Sequence, residues 1–125
     1  MNYLLDTHVV LWWLNGEPRL SEKVKDIISS GNSIVFLSAV VMWEIRIKQQ
    51  LAKLEIPNNF RAALDNEKFA PLAITFDHVD TLLTLPMHHR DPFDRMLIAQ
   101  AKHERLTLIS HDSHLKKYKI PLLLA

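Results

Sequence analysis

The chain has 125 residues, which is enough for one domain whose apolar core needs no metal or disulfide to hold it together. Its composition, 48% hydrophobic and 23% charged with no cysteine, is typical of a globular protein and excludes a disulfide framework, a thiolate nucleophile and a cysteine-ligated zinc site. The net charge of +1 means that any attraction to nucleic acid must come from local clusters of charge.

The N-terminal segment, residues 1–14, is apolar but short. It lacks the basic region and the small-residue cleavage site of a signal peptide, and Asp6 and His8 interrupt it well before the length of a membrane span. We therefore expect a cytoplasmic protein that does not associate with a membrane.

Short apolar strands alternate with helical stretches along the chain. The predicted elements are a strand at 2–5, helices at 8–14 and 21–29, a strand at 33–37, helices at 39–54 and 57–66, a strand at 71–74, helices at 76–85 and 92–104, a strand at 106–109, a short turn near 113–117 and a strand at 120–124. This alternation predicts a single domain over residues 1–125, built as a three-layer α/β/α sandwich around a parallel sheet of four to five strands.

Two acidic residues follow predicted strands. Asp6 comes directly after the first strand, and Asp112 follows the fourth strand after Ser110 and His111. Because ligand crevices in parallel sheets lie at the carboxyl ends of the strands, both acids are expected at the edge where such a crevice forms. Each acid also has a structural alternative, since Asp6 could form a turn at the strand end and Asp112 could cap the turn that follows.

Two further acids, Glu44 and Asp94, lie inside predicted helices, in the middle of each helix's apolar stripe. A lone carboxylate in that position is unfavourable, so each acid is expected to have a partner. Glu44 could instead pair with Lys48 on a solvated face, and Asp94 could complete a capping box with Asp91. The apolar residues within roughly 60° of these acids on the helical wheel are Val40, Val41, Ile47 and Leu51 around Glu44, and Leu97, Ile98 and Ala101 around Asp94.

Asp91 stands at the predicted start of the helix at 92–104. Asp is a favoured N-cap and Pro92 fits the first helical position, so Asp91 is predicted to cap this helix. Such a cap would orient the helix so that the carboxylate of Asp94 meets that of Asp6.

Four acids directed at one edge would repel one another in a bare cleft. The simplest compensation is one or two divalent cations bound through oxygen ligands. Mg²⁺ or Mn²⁺ held by carboxylates suits the hydrolysis of phosphodiesters, because the cation lowers the pKa of a bound water and stabilises the leaving oxygen. Thr7 and Ser38, just past their strands, could support this site with their hydroxyl groups or could serve as helix N-caps.

Basic residues could form a rim for an RNA backbone, because phosphate contacts dominate such binding; ordinary solvated charge is the alternative for each of them. The histidines invite a zinc hypothesis, but neither His88 with His89 nor His111 with His114 has a recognised zinc-ligand spacing. The residues of the predicted basic rim are Arg46, Lys48, His88, His89, Arg90, Lys116, Lys117 and Lys119.

Four blocks of sequence carry a resemblance to a known family. They are "LLDTHVVLWWL", "LSAVVMWEI", "HRDPFDRMLIAQA" and "LISHD". Their order and approximate spacing resemble those of PIN-domain ribonucleases, and especially of the VapC-type toxins of bacterial toxin-antitoxin pairs. The resemblance covers essentially the whole chain, and "DPFDRMLIAQA" is its most specific part.

The resemblance implies a metal site formed by Asp6, Glu44, Asp94 and Asp112, of which the fourth acid is usually the most variable in the family. It also implies Mg²⁺- or Mn²⁺-dependent endonucleolytic cleavage of RNA, homodimerisation, and inhibition by a cognate antitoxin protein that binds across the active-site groove. The alternatives are a solitary RNA-processing nuclease and an inactive RNA- or protein-binding module. A phosphatase with an aspartyl nucleophile at Asp6 is disfavoured, because its usual second acid is replaced here by His8.

Overall fold

Strands and helices alternate along the protein, and the computed structural model describes residues 1–88 and 90–125. In chain order the elements are β1 (Tyr3–Leu5), α1 (Thr7–Asn15), α2 (Glu22–Ser30), β2 (Val35–Ser38), α3 (Ala39–Gln50), α4 (Phe60–Asp65), β3 (Ala70–Leu72), α5 (Phe76–Thr81), a 3-10 helix (Leu82–Thr84), α6 (Pro92–Glu104), β4 (Thr107–Ser110), a second 3-10 helix (Ser113–Tyr118) and β5 (Leu122–Leu124). Within the described ranges, no helix has both the length and the apolar character needed to cross a bilayer.

The strands form one five-stranded parallel sheet in the order β3-β2-β1-β4-β5. The chain moves outward from β1 through β2 to β3 and then returns to place β4 on the other side of β1. Tyr3 pairs with Thr107 and Leu5 with Ile109, so the segments that follow β1 and β4 begin side by side. In an open α/β sheet, this reversal of direction is the switch point at which a ligand crevice forms.

Helices cover both faces of this sheet. Successive residues of a strand point to opposite faces. Leu4 with Leu5 on β1, and Leu108 with Ile109 on β4, are all completely buried. The predicted three-layer α/β/α sandwich around a parallel sheet is therefore confirmed, with five strands.

The ends of several helices differ from the predicted ends. α3 stops at Gln50 and not at residue 54, because Ala52 adopts a φ of 55° and the N–H of Lys53 donates to the carbonyl of Lys48 at 2.9 Å. This pattern closes a helix by satisfying its last carbonyl groups. α4 is shorter than the predicted helix at 57–66, and α5 passes into a 3-10 helix after Thr81.

A buried polar network joins α6 to β2 and α5. Gln100 on α6 is completely buried; its side-chain oxygen accepts from the hydroxyl of Ser38 at 2.6 Å, and its nitrogen donates to the carbonyl of Ala73 at 3.3 Å. The same nitrogen lies 3.3 Å from Nδ1 of His78, and Nε2 of His78 lies 2.9 Å from Glu104. These contacts fix α6 relative to the sheet.

Replacing Gln100 by alanine should leave the hydroxyl of Ser38 and the carbonyl of Ala73 unpaired inside the core. We expect the free energy of unfolding to fall by about 2–3 kcal/mol, measured by urea denaturation, since unpaired buried polar groups are costly. Gln50→Ala, at the exposed end of α3, is the matched control and should change stability by less than about 0.5 kcal/mol. Equal losses in the two variants would contradict this role of Gln100.

Candidate active site

A small cleft of about 70 Å³ lies at the carboxyl ends of β1 and β4. All four acids that the sequence predicts as metal ligands line it, although they come from two strand ends and two helices. The switch point of the sheet therefore carries a concentration of negative charge. The lining residues are Asp6, Thr7, His8, Glu44, Lys48, Asp91, Asp94, His111 and Asp112.

Asp6 joins the end of β1 to the start of α1, and its two oxygens have different contacts. Oδ1 accepts from the N–H of Val9 at 2.9 Å and so caps α1. Oδ2 accepts from the hydroxyl of Ser110 at 2.5 Å and lies 3.5 Å from Nδ1 of His111. Asp6 is only 4% exposed. At this strand end Asp6 serves as a helix cap, where the sequence alternative was a turn, and its second oxygen contacts other residues of the cleft.

Glu44 is buried within α3, at 4% exposure, as its position on the apolar stripe predicts. Its Oε1 accepts from the hydroxyl of Thr7 at 2.6 Å, and its Oε2 accepts from Nζ of Lys48 at 2.6 Å. The pair with Lys48 that the sequence left open does form, but it involves a buried carboxylate and not a solvated face. The hydrogen bond to Glu44 raises the pKa of Lys48 above its ordinary value, and the charges of Asp91 and Asp94 act in the same direction.

Asp91 and Asp94 have different positions at the start of α6. Oδ1 of Asp91 accepts from the N–H of Phe93 at 2.8 Å and from that of Asp94 at 3.1 Å. Asp91 is therefore the N-cap, with Pro92 in the first turn, as predicted. Asp94 takes part in this cap through its backbone, and it lines the cleft one turn into the helix.

Asp112 reaches the cleft from the loop that follows β4. Its Oδ1 accepts from the N–H of His114 at 2.9 Å and so caps the 3-10 helix Ser113–Tyr118. Its own N–H donates to the hydroxyl of Ser110 at 3.0 Å, and this hydroxyl in turn donates to Asp6. Ser110 thus connects the acids that follow β1 and β4. The sequence reasoning missed Ser110, although its place at the end of a strand beside β1 was a usable signal.

The rings of His8 and His111 pack together at the cleft, with their centroids 4.1 Å apart and their planes inclined by 40°. Hydrogen bonding to Asp6 raises the pKa of His111 above its ordinary value, and the charges of Asp112 and Asp94 add to this effect. Burial lowers the pKa of His8, and the neighbouring His111 lowers it further. Of the two rings, His111 is therefore the one that gains a proton first as the pH falls. The sequence reasoning placed neither ring in the cleft.

Of the two hydroxyl residues predicted to support the site, Thr7 lines the cleft and Ser38 does not. Ser38 caps α3 by accepting from the N–H of Val40 at 3.0 Å, and it contacts Gln100 in the core. The N-cap alternative is therefore correct for Ser38 and wrong for Thr7, which follows the cap residue Asp6. From the predicted basic rim, Lys48 is the member that lines the cleft among the described residues, and His89 lies outside them.

The chemistry of the cleft fits a hard divalent cation, because carboxylate oxygens are the ligands that Mg²⁺ and Mn²⁺ prefer. As the side chains stand, however, no three His, Asp or Glu residues within 1–88 and 90–125 are grouped closely enough to hold a metal ion, and this includes His111 with His114; the other pair considered for zinc contains His89, which lies outside the described residues. Lys48 supplies positive charge next to Glu44, and His111 lies next to Asp6.

Comparison with known proteins identifies the family of this chain. The sequence model of the PIN domain matches residues 3–121. The chain belongs to the PIN domain family. PIN domains are generally nucleases, which hydrolyse phosphodiester bonds. Among curated proteins, none matches this PIN domain in sequence with significance.

Solved structures share the fold of this PIN domain at low sequence identity. The structure of VapBC2 from Rickettsia felis, bound to a DNA fragment from the VapBC2 promoter, matches with a TM-score of 0.78 and 16% identity. The match covers 100% of this chain and 99% of the matched chain. A toxin-antitoxin complex from Klebsiella pneumoniae has a TM-score of 0.67 and 17% identity, over 97% and 95%. The PIN domain endonuclease Utp24 has a TM-score of 0.57 and 18% identity, over 99% and 84%. At these identities the likeness shows the fold alone.

Replacing Lys48 by methionine in this PIN domain removes the ammonium group that pairs with the buried carboxylate of Glu44. We expect the free energy of unfolding of the metal-free protein to fall by about 1–2 kcal/mol, measured by urea denaturation in EDTA at neutral pH. The loss should be smaller than for a fully buried pair, because the side chain of Lys48 is 38% exposed.

Lys25→Met is the matched control, since Lys25 pairs with the 85% exposed side chain of Glu22. This variant should change stability by less than about 0.5 kcal/mol. If the Lys48 variant is as stable as the Lys25 variant, Glu44 does not need a neighbouring cation.

Proposed function

We propose that this PIN domain is a metal-dependent endoribonuclease that acts as the toxin of a toxin-antitoxin pair. The observation that carries the proposal is the convergence of Asp6, Glu44, Asp94 and Asp112 on one cleft at the switch point of the sheet. The nuclease activity general to PIN domains supports the reaction class. The resemblance of the sequence blocks to VapC-type toxins supports RNA as the substrate.

The four acids would hold Mg²⁺, with Mn²⁺ as a substitute. When bound, the cation lowers the pKa of a water nucleophile and offsets the negative charge of the phosphate in the transition state. The charge of the cleft favours this role, since its lining contains five acids and one lysine. A divalent cation relieves the repulsion among these acids.

The other residues of the cleft orient the acids. The hydroxyl of Thr7 holds Oε1 of Glu44 at 2.6 Å, and the hydroxyl of Ser110 holds Oδ2 of Asp6 at 2.5 Å. Hydrogen bonds of this kind restrict the rotation of carboxylates that bind metals. Asp91 caps α6 and so fixes the direction from which Asp94 enters the cleft.

The proposed partners are an RNA substrate, a cognate antitoxin protein that binds across the cleft, and a second copy of the chain. The toxin-antitoxin complex from Klebsiella pneumoniae has the same fold, which supports the antitoxin. Phe76 and Leu83 are 90% and 91% exposed, and Val79 between them is 46% exposed. Large apolar side chains exposed together are typical of a protein-binding face, and they support association with another chain.

Replacing Asp94 by asparagine removes one negative charge from the cleft and conserves the shape of the side chain. We expect the Mg²⁺- or Mn²⁺-dependent cleavage of labelled single-stranded RNA by the purified protein to fall by at least about 100-fold, because the cation loses a charged ligand. Expression of the variant should also no longer arrest growth.

Asp91→Asn is the control for this experiment, since it makes the same chemical change three residues earlier. The amide oxygen can still accept from the N–H groups of Phe93 and Asp94, so the cap persists and cleavage should fall only several-fold. Equal losses in the two variants would contradict the different roles of Asp91 and Asp94. Cleavage by the wild-type protein without growth arrest would favour a solitary RNA-processing nuclease.

Isothermal titration with Mn²⁺ separates a nuclease from an inactive binding module, because it does not depend on turnover. We expect the wild-type protein to bind Mn²⁺ and Asp94→Asn to bind it at least about tenfold more weakly. Asp26→Asn, which changes an exposed acid on α2, should bind as the wild type does. Absence of Mn²⁺ binding by the wild-type protein would overturn the proposed metal dependence.

A further inference from the structure

A second pocket, of about 350 Å³, lies where the 3-10 helix Ser113–Tyr118 ends, next to α6. Three lysines from different segments line it: Lys102 from α6, Lys117 from the 3-10 helix and Lys119 just after it. Among the described residues that line this lysine pocket, none is acidic. The pocket therefore has a charge opposite to that of the cleft.

The three lysines keep their positive charge available to a ligand. Within residues 1–88 and 90–125, no ion pair involves Lys102, Lys117 or Lys119. Lys102 donates to the neutral hydroxyl of Thr84 at 2.8 Å, which leaves its charge uncompensated. Like charges that converge on a concave surface favour the binding of an anion.

The lysine pocket is connected to the cleft through two short segments. Tyr118, which is 5% exposed and lines the pocket, has its hydroxyl 3.3 Å from Nη1 of Arg95, the residue that directly follows Asp94. The 3-10 helix begins at its cap Asp112 in the cleft and ends at Tyr118 in the pocket. At about 2 Å per residue, this helix spans about 12 Å.

We propose that the lysine pocket binds a backbone phosphate of the RNA substrate at a distance from the scissile bond. This inference rests on the ribonuclease function proposed above. A cleft lined mainly by acids repels a polyanion, so the strand needs a positively charged anchor close by. Lysine contacts to phosphate provide such an anchor and do not depend on the base sequence. A short single strand then extends from the cleft along the 3-10 helix to the pocket.

The test compares two double variants with the same net charge. Lys117→Gln with Lys119→Gln removes two charges from the lysine pocket. Lys23→Gln with Lys53→Gln is the matched control, because both lysines are exposed, neither lines the pocket and neither belongs to the predicted basic rim. Binding of a fluorescent single-stranded RNA of mixed sequence is measured by anisotropy in EDTA, between about 50 and about 200 mM KCl.

We expect the pocket double variant to bind this RNA about tenfold more weakly at the lowest salt concentration. The slope of log K against log salt concentration should fall by about 0.7, since the pocket neutralises one phosphate of the single strand. The control double variant should stay close to the wild type. Lys102→Gln, which acts on the same pocket from α6, should also weaken RNA binding and lower the slope, by at most about 0.7. This single variant is the test of the pocket if thermal unfolding shows that the pocket double variant does not fold.

Equal losses in the two double variants would overturn the proposal, because they would reflect only the overall charge. Unchanged RNA binding together with lost binding of polyglutamate would assign the pocket to an acidic protein segment and would also overturn it. If the wild type cleaves RNA but the pocket variants bind it normally, this inference fails and the ribonuclease proposal stands. If the pocket variants lose RNA binding in a protein that never cleaves RNA, the pocket stands and the ribonuclease proposal fails.

Discussion

The crowding of carboxylates at the switch point between β1 and β4 is the constraint on which the local structure depends. Asp6 and Glu44 are each only 4% exposed, and a buried carboxylate is strongly unfavourable unless it is hydrogen-bonded or paired. Asp6 accepts from the backbone at the start of α1 and from Ser110, while Glu44 accepts from Thr7 and Lys48. The contacts that satisfy these acids therefore also tie α1 to α3, and β1 to β4.

Much of this arrangement follows from local sequence patterns, because burial on two faces leaves a continuous apolar run and a buried acid interrupts an apolar stripe. These signals locate the five strands and direct attention to Glu44 and Asp94. The predicted end of α3 was wrong because Leu51 and Leu54 continue the helical pattern of apolar residues past Gln50. In the structure the positive φ of Ala52 ends the helix. Contacts between distant residues leave no such pattern. The hydroxyl of Ser38 donates to the side chain of Gln100, which lies 62 residues away in the sequence. The positions of His8 and His111 in the cleft depend on which strand lies beside β1.

The net charge of +1 conceals a separation of charge on this small protein. Five acids line the cleft, and three lysines line the pocket at the end of the adjacent 3-10 helix. Neither surface alone suits a polyanion that must be both held and hydrolysed. On the proposed function, the acidic cleft would bind the cation and the basic pocket would bind the strand, so that neighbouring surfaces meet the two requirements separately.

The first turn of α6 has a consequence for the geometry of the reaction. Asp94 and Arg95 are consecutive residues whose side chains leave the helix about 100° apart, and one lines the cleft while the other reaches Tyr118 in the lysine pocket. On the proposed function, the first turn of α6 therefore fixes the position of the hydrolysed phosphate relative to that of the held phosphate. The protein would then set a constant number of nucleotides between the anchored nucleotide and the new RNA end, independent of the base sequence between them.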